Sequence, residues 1–186
     1  RRVAVVGPAY FVERLGGVAP FLGFGLFRLK RIPPAGGATV DVDFLISSGS
    51  CINLGSWSDI GPMEDDLFID FVDLEWCVRA KRRGYAVVGV TSVVMRHSLG
   101  DEPVRAFGRS FAMHSPLRHY YLFRNAVALS CRSDMPMTWK TSELVKLPVR
   151  LIVYAGFSDC RRAHLRMAFC GIWDGLQKRL GARELG

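Results

Sequence analysis

The sequence predicts an α/β chain in which a mixed sheet with its helix comes first and amphipathic helices follow. Three observations predict it. Two apolar, β-rich runs, Val3-Ala4-Val5-Val6 and Tyr85 to Val94, lie far apart in the chain, and such runs read as buried strands. Between them, Phe71 to Arg83 has helical character and closes on Lys81-Arg82-Arg83-Gly84, a basic last turn followed by a glycine stop. Beyond residue 103 helical patterns dominate, at about 116–130, 142–154 and 159–180.

The elements follow in order. Residues 3–10 read as a strand. Residues 11–40 are rich in Gly, Pro, Phe and Arg without a period, so they form a long connection with room for a short hairpin. Asp43 to Leu54 reads as a strand interrupted by Ser47-Ser48-Gly49-Ser50; a glycine inside a strand pattern marks close backbone approach. Ser56 to Gly61 reads as a short helix, with Ser56 as N-cap and Gly61 as stop. If residues 66–78 are helical throughout, Leu67, Phe71, Leu74 and Val78 form the buried stripe. Asp66, Asp70 and Asp73 then share another face. Arg96 to Glu102 reads as a polar loop. In the last helix Leu165, Phe169, Ile172, Leu176 and Leu180 make an amphipathic stripe, flanked by Arg161, Arg162, Arg166, Lys178 and Arg179; such a helix either lies on a membrane surface or a partner, or packs as a solvated helix on its own domain.

Composition narrows the class. With 49% hydrophobic residues the chain is not a disordered one. No apolar stretch reaches the roughly 18 to 20 residues that span a bilayer. The best candidate, Leu144 to Phe157, carries Lys146, Pro148 and Arg150. The chain opens on Arg1 and runs straight into the Val3 strand, without the charged, apolar and small-residue pattern of a signal peptide. It is expected to be the later part of a longer protein. The cysteines at 51, 77, 131, 160 and 170 form no C-x-x-C pair, which argues against zinc and against a disulfide framework. Charge divides the chain at about residue 102. Residues 1–102 hold 11 Lys/Arg against 12 Asp/Glu, and residues 103–186 hold 14 against 5. The first part is expected to carry a site, and the basic second part to meet an anionic partner.

Three groups of residues have chemistry in them. Glu64 to Glu75 packs six carboxylates within 12 residues, among large apolar side chains. Such clustering suits a general base or a cation site, and it equally suits an acidic helix start stabilised by the helix dipole. His97 follows a strand and opens a loop containing Gly100 and Asp101, a place for a metal or phosphate ligand, or for a structural hydrogen bond. From His114 to Asn125 arginines and tyrosines interleave. Arg118 and Arg124 either clamp an anion or snorkel from an aromatic core helix. Asp41-Val42-Asp43 matches a D-x-D pattern too short to carry weight.

Taken together, Leu45 to Ser50, Asp59-Ile60-Gly61, Leu67 to Ala80, Gly84-Tyr85 and His97 to Asp101 resemble the family 2 glycosyltransferases of the GT-A fold. Among these the sequence looks most like rhamnosyltransferases that use dTDP-L-rhamnose, and Arg118-His119-Tyr120-Tyr121 and Arg124-Asn125 add to the likeness. The resemblance covers about residues 3–130. It implies the C-terminal half of a GT-A, Rossmann-like mixed sheet over residues 1–102; for the basic helical region that follows, 103–186, the charge and the amphipathic last helix give the expectation of contact with a membrane surface. It implies Asp73 as the catalytic base, although the acid that usually precedes it is Val72 here. By the same likeness Ser48, Gly49 and Ser50 lie near the donor sugar. Asp70, Glu75, Trp76 and Arg118 face the acceptor, and His97 completes a Mg²⁺ or Mn²⁺ site.

The expected reaction is an inverting transfer, one displacement at the anomeric carbon in which a base takes the acceptor's hydroxyl proton. A cation neutralises the leaving nucleotide diphosphate. The expected partners are a nucleotide-sugar donor and a lipid-linked saccharide or glycolipid acceptor, without nucleic acid, at the inner face of the cytoplasmic membrane. The nucleotide-binding half is expected to lie upstream, so these 186 residues alone are expected to bind the donor weakly. The rival reading is a non-catalytic basic module for a membrane surface or nucleic acid.

Overall fold

Strand β1, Val3–Val12, is the axis of the first half. Its apolar run is buried on both sides, as befits a strand with a parallel neighbour. That neighbour is β7, Ala86–Arg96, parallel to β1 with a register shift between Pro8 and Ala9. Antiparallel partners complete a mixed sheet. Gly17–Ala19 (β2) pairs with the end of β1 and Thr39–Val42 (β5) with β7, giving the order β2-β1-β7-β5. Cys51–Ile52 (β6) joins β1 at Val5 and Val6. The long connection contains the expected hairpin, Phe21–Phe24 (β3) with Leu29–Ile32 (β4). The parallel β1–β7 pair needs a crossover, which includes helices α1, Leu54–Ile60, and α2, Val72–Arg82. Their residues Ile60, Trp76, Cys77 and Ala80 close one core with Ala4, Val5, Val42, Leu45 and Val87.

This computed structural model describes residues 1–13, 16–26, 28–34, 37–96, 104–106, 108–111 and 113–183, with backbone alone at 104–106, 109 and 110. The α/β class read from the sequence holds. The chain forms two compact units, Arg1–Glu64 with Val72–Ser98, and Asp65–Phe71 with Leu99–Gly186. The second unit contains a small hairpin, Val104–Ala106 (β8) and Arg109–Phe111 (β9), and three helices. These are α3, Pro116–Ser130, α4, Met137–Phe157, and α5, Arg161–Leu176. Helix α3 starts where proline at the first turn predicts, with Ser115 Oγ accepting from the Arg118 N–H at 3.3 Å.

Four local expectations are corrected. Asp43 to Leu54 is not an interrupted strand with an arm on each side of the serines: only Cys51–Ile52 forms a strand, and Leu54 already opens α1. The Ser50 hydroxyl donates to the Ile46 carbonyl at 2.6 Å and the Ser50 N–H to the Ser47 carbonyl at 3.1 Å, so local side-chain and turn bonds replace the ladder. The α1 cap is Asn53, whose Oδ1 accepts from Gly55 N–H at 3.0 Å, one turn ahead of Ser56.

Residues 66–78 are not one helix. A 3₁₀ turn at Asp65–Leu67 is followed by positive φ at Phe68 (62°), Asp70 (65°) and Phe71 (67°), and α2 starts only at Val72. Asp66, Asp70 and Asp73 therefore do not share a helix face. Finally, of the two readings open for the α5 stripe, packing on its own domain holds for Ile172 but not for the stripe as a whole. The packed face of α5 is His164, Ala168, Gly171 and Gly175, while Phe169 and Leu176 are exposed. Small residues let α5 approach the α3 backbone. A Cβ at Gly171 would collide with the Tyr120 carbonyl, and one at Gly175 with the Arg124 carbonyl.

Candidate active site

In the sheet unit, Asp73 stands in the first turn of α2, half-buried. Its Oδ2 accepts the Ser47 N–H at 3.0 Å and its Oδ1 accepts the Leu74 N–H at 2.8 Å. Two backbone donors thus fix the carboxylate's orientation. The Ser47–Ser50 turn that supplies one of them is itself held from β1, since the Tyr10 hydroxyl donates to the Ser48 carbonyl at 2.7 Å. Burial raises the Tyr10 pKa, and the nearby Asp73 charge adds to it, so the phenol stays a donor. Gly49, at φ 68°, turns the chain where a side chain would strike Met95 and Pro8.

Asp73, Ser47 and Ser50 line a small cavity with Ile46, Trp76 and Cys77. Its volume of about 30 Å³ holds a water and not a sugar ring. A wider recess of about 730 Å³ runs along Gly25, Leu26, Arg28, Leu29, Lys30 and Arg31. Among the described residues that line it there is no acid.

The neighbours of Asp73 on α2 are internally satisfied. Glu75 is buried and bonds Arg79 twice, at 3.1 and 2.8 Å. Arg79 in turn donates to the Ile60 and Pro62 carbonyls at 2.9 and 2.8 Å. Trp76, 1% exposed, donates its indole N–H to the Gly61 carbonyl at 2.9 Å. Both residues hold α2 against α1, and neither presents an open polar group. Burial pushes the Cys77 thiol up to about 12, so it supplies no thiolate nucleophile. The Asp41–Asp43 pair is tied to Lys81, at 3.6 and 2.6 Å.

In the helical unit, Asp70 pairs with Arg118 at 3.1 Å. Arg124 is neither an anion clamp nor a snorkelling side chain. It is buried, lies over the Tyr121 ring at 4.8 Å, and donates to the carbonyls of Asp66 and Leu67, both at 3.0 Å. Asn125 donates to the carbonyls of Leu67, Ile69 and Asp70 at 2.8, 2.8 and 3.1 Å. These two side chains satisfy the backbone of the strained 66–70 turn, which has no ladder of its own.

His97 lies outside the described residues. Among the described residues no three His, Cys, Asp or Glu side chains gather to hold a metal. Sequence reasoning missed Tyr10 and gave no role to Ser47 or Asn125, whose signals were the serine-rich turn and the Arg124-Asn125 pair.

No protein-family model matches the chain. The chain is similar to the dTDP-rhamnosyl transferase RfbF of Shigella flexneri, 37% identical over 100 residues. That match takes in 54% of this chain and 34% of the relative, so the chain spans about a third of the length of the curated relative it matches. The similarity supports a rhamnosyltransferase-like relationship.

Proposed function

We propose that the protein belongs to an inverting glycosyltransferase of the GT-A fold, which transfers L-rhamnose from dTDP-L-rhamnose to a saccharide hydroxyl with Asp73 as the base. The observation that carries this reading is the Asp73 carboxylate, oriented by the Ser47 and Leu74 N–H groups at the mouth of a cavity. Its support from comparison is the 37% identity to a dTDP-rhamnosyl transferase.

Inversion needs one base within hydrogen-bond reach of the attacking hydroxyl, and no covalent intermediate. A carboxylate whose backbone donors already fix its orientation meets that need without reorganising during the reaction. Ser48, Gly49 and Ser50 face the donor sugar in this reading, and Asp70 with Arg118 the acceptor. Glu75 and Trp76 act by holding α2. His97 and a Mg²⁺ or Mn²⁺ ion belong to the reading as expectations, and no step here is routed through them. The acceptor is a lipid-linked saccharide or glycolipid at the inner face of the cytoplasmic membrane.

The test is a donor panel with the full-length protein, its products read by NMR. Transfer from dTDP-L-rhamnose with inverted anomeric configuration is expected. Retained configuration, or transfer from other nucleotide sugars alone, overturns the reading.

A further inference from the structure

Helix α4 is turned inside out. Glu143 is buried and pairs with Lys146 at 2.6 Å and Arg150 at 2.9 Å, so the charges of the helix gather on its inner side with Trp139, Leu147 and Tyr154. Its exposed side holds Met137, Leu144, Val145, Val149 and Ile152, with Val145 at 69% and Ile152 at 58% exposure. At 100° per residue these five fall within one stripe, free of charge, along more than four turns. Helix α5 shows a second exposed stripe at helical spacing, Arg162, Arg166, Phe169, Trp173 and Leu176. Basic and large apolar side chains share that face, opposite the small residues that pack on α3. Soluble monomers rarely leave such faces uncovered.

We infer that the outer faces of α4 and α5 dock on an anionic lipid surface, their apolar side chains entering the headgroup boundary and Arg162 and Arg166 meeting the lipid phosphates. Interfacial helices combine these two components: apolar area gives insertion, and basic residues near the surface add electrostatic attraction to anionic headgroups. The chain's own charge selects this occupant. Residues 103–186 carry 14 Lys/Arg against 5 Asp/Glu, so a second copy would bring like charge against like. Nucleic acid has nothing to offer the uncharged α4 stripe. Among the described residues no helix is long and apolar enough to cross a membrane; the Lys146–Glu143–Arg150 cluster makes α4 a helix that lies on the surface. This inference stands on the helical unit alone and survives or fails independently of the transferase reading.

The experiment is flotation of the protein with vesicles of phosphatidylcholine, with and without phosphatidylglycerol. Binding to the anionic vesicles is expected, at least tenfold above the neutral ones and weakening with salt. Val145→Glu with Ile152→Glu, and separately Trp173→Glu, should lower it at least tenfold. Thermal melts by circular dichroism confirm that these surface variants fold. Failure to float with anionic vesicles overturns the inference, as does equal binding to neutral vesicles or folded variants that float unchanged. Two further results also overturn it: a concentration-dependent dimer broken by the same substitutions, and tight duplex DNA binding without vesicle binding.

Discussion

Two tryptophans show how differently helices α2 and α5 use the same residue type. Trp76, in the sheet unit, is 1% exposed and joins a core of Val, Leu and Ile side chains. Trp173, in the helical unit, is 59% exposed, while Ala168, Gly171 and Gly175 beside it are packed. In the sheet unit size and hydrophobicity select the inside. In α5 close approach to α3 selects small residues for the packed face and leaves Phe169, Trp173 and Leu176 outside, although α4 of the same unit buries Trp139.

Substitutions can break this contrast, and they rank by expected effect. Trp76→Ala should destabilise the sheet unit by about 4 kcal/mol, from lost burial plus the cavity left behind. Gly171→Leu should destabilise the helical unit by about 3 kcal/mol, because the added side chain strikes the α3 backbone. Trp173→Ser, although it removes as large a ring as Trp76→Ala does, should change stability by only about 0.5 kcal/mol or less. Chemical denaturation read by circular dichroism checks all three. Equal costs for the two tryptophans would remove the distinction.

Acid sharpens the contrast in a different way. His119 lies within the helical unit, its Nδ1 2.8 Å from His164 Nδ1 and its ring stacked on Tyr154 at 3.7 Å. The His114 N–H is donated to its Nε2, which leaves no place there for a second proton. Burial, then the neighbouring His164, lowers the His119 pKa to about 3, and burial lowers that of His164 as well. A histidine depressed in the fold is neutral when folded and takes up a proton on unfolding. Its contribution is therefore complete above about pH 6.5 and is lost as pH falls towards 3, with a slope of up to about 1.4 kcal/mol per pH unit. His119→Phe should flatten that slope between pH 6.5 and 4 in urea titrations.

Much of this architecture was legible. The bounds of α3, the glycine stops at Gly61 and Gly84, and the strands β1 and β7 follow from local propensity and capping. The misread parts depend on distant partners. The 66–71 turn adopts its positive φ angles while Arg124 and Asn125, more than 50 positions away, satisfy its carbonyls. No local pattern announces that. The α5 stripe was legible as a stripe but not in the way it faces, because glycine and alanine pack here and Phe169 and Leu176 stay outside. For the candidate site, Asp73 was visible as one of six carboxylates. The bond that singles it out comes from Ser47, 26 residues upstream, in a turn held by Tyr10.

The central claim is that this fixed carboxylate accepts the acceptor's proton. Asp73→Asn is the direct test, because the amide oxygen can still accept the Ser47 N–H while losing basicity. In the full-length protein, single-turnover rhamnosyl transfer should fall by about 10² to 10⁴, with dTDP-L-rhamnose affinity and thermal melting unchanged. Transfer within tenfold of the original rate would contradict the assignment.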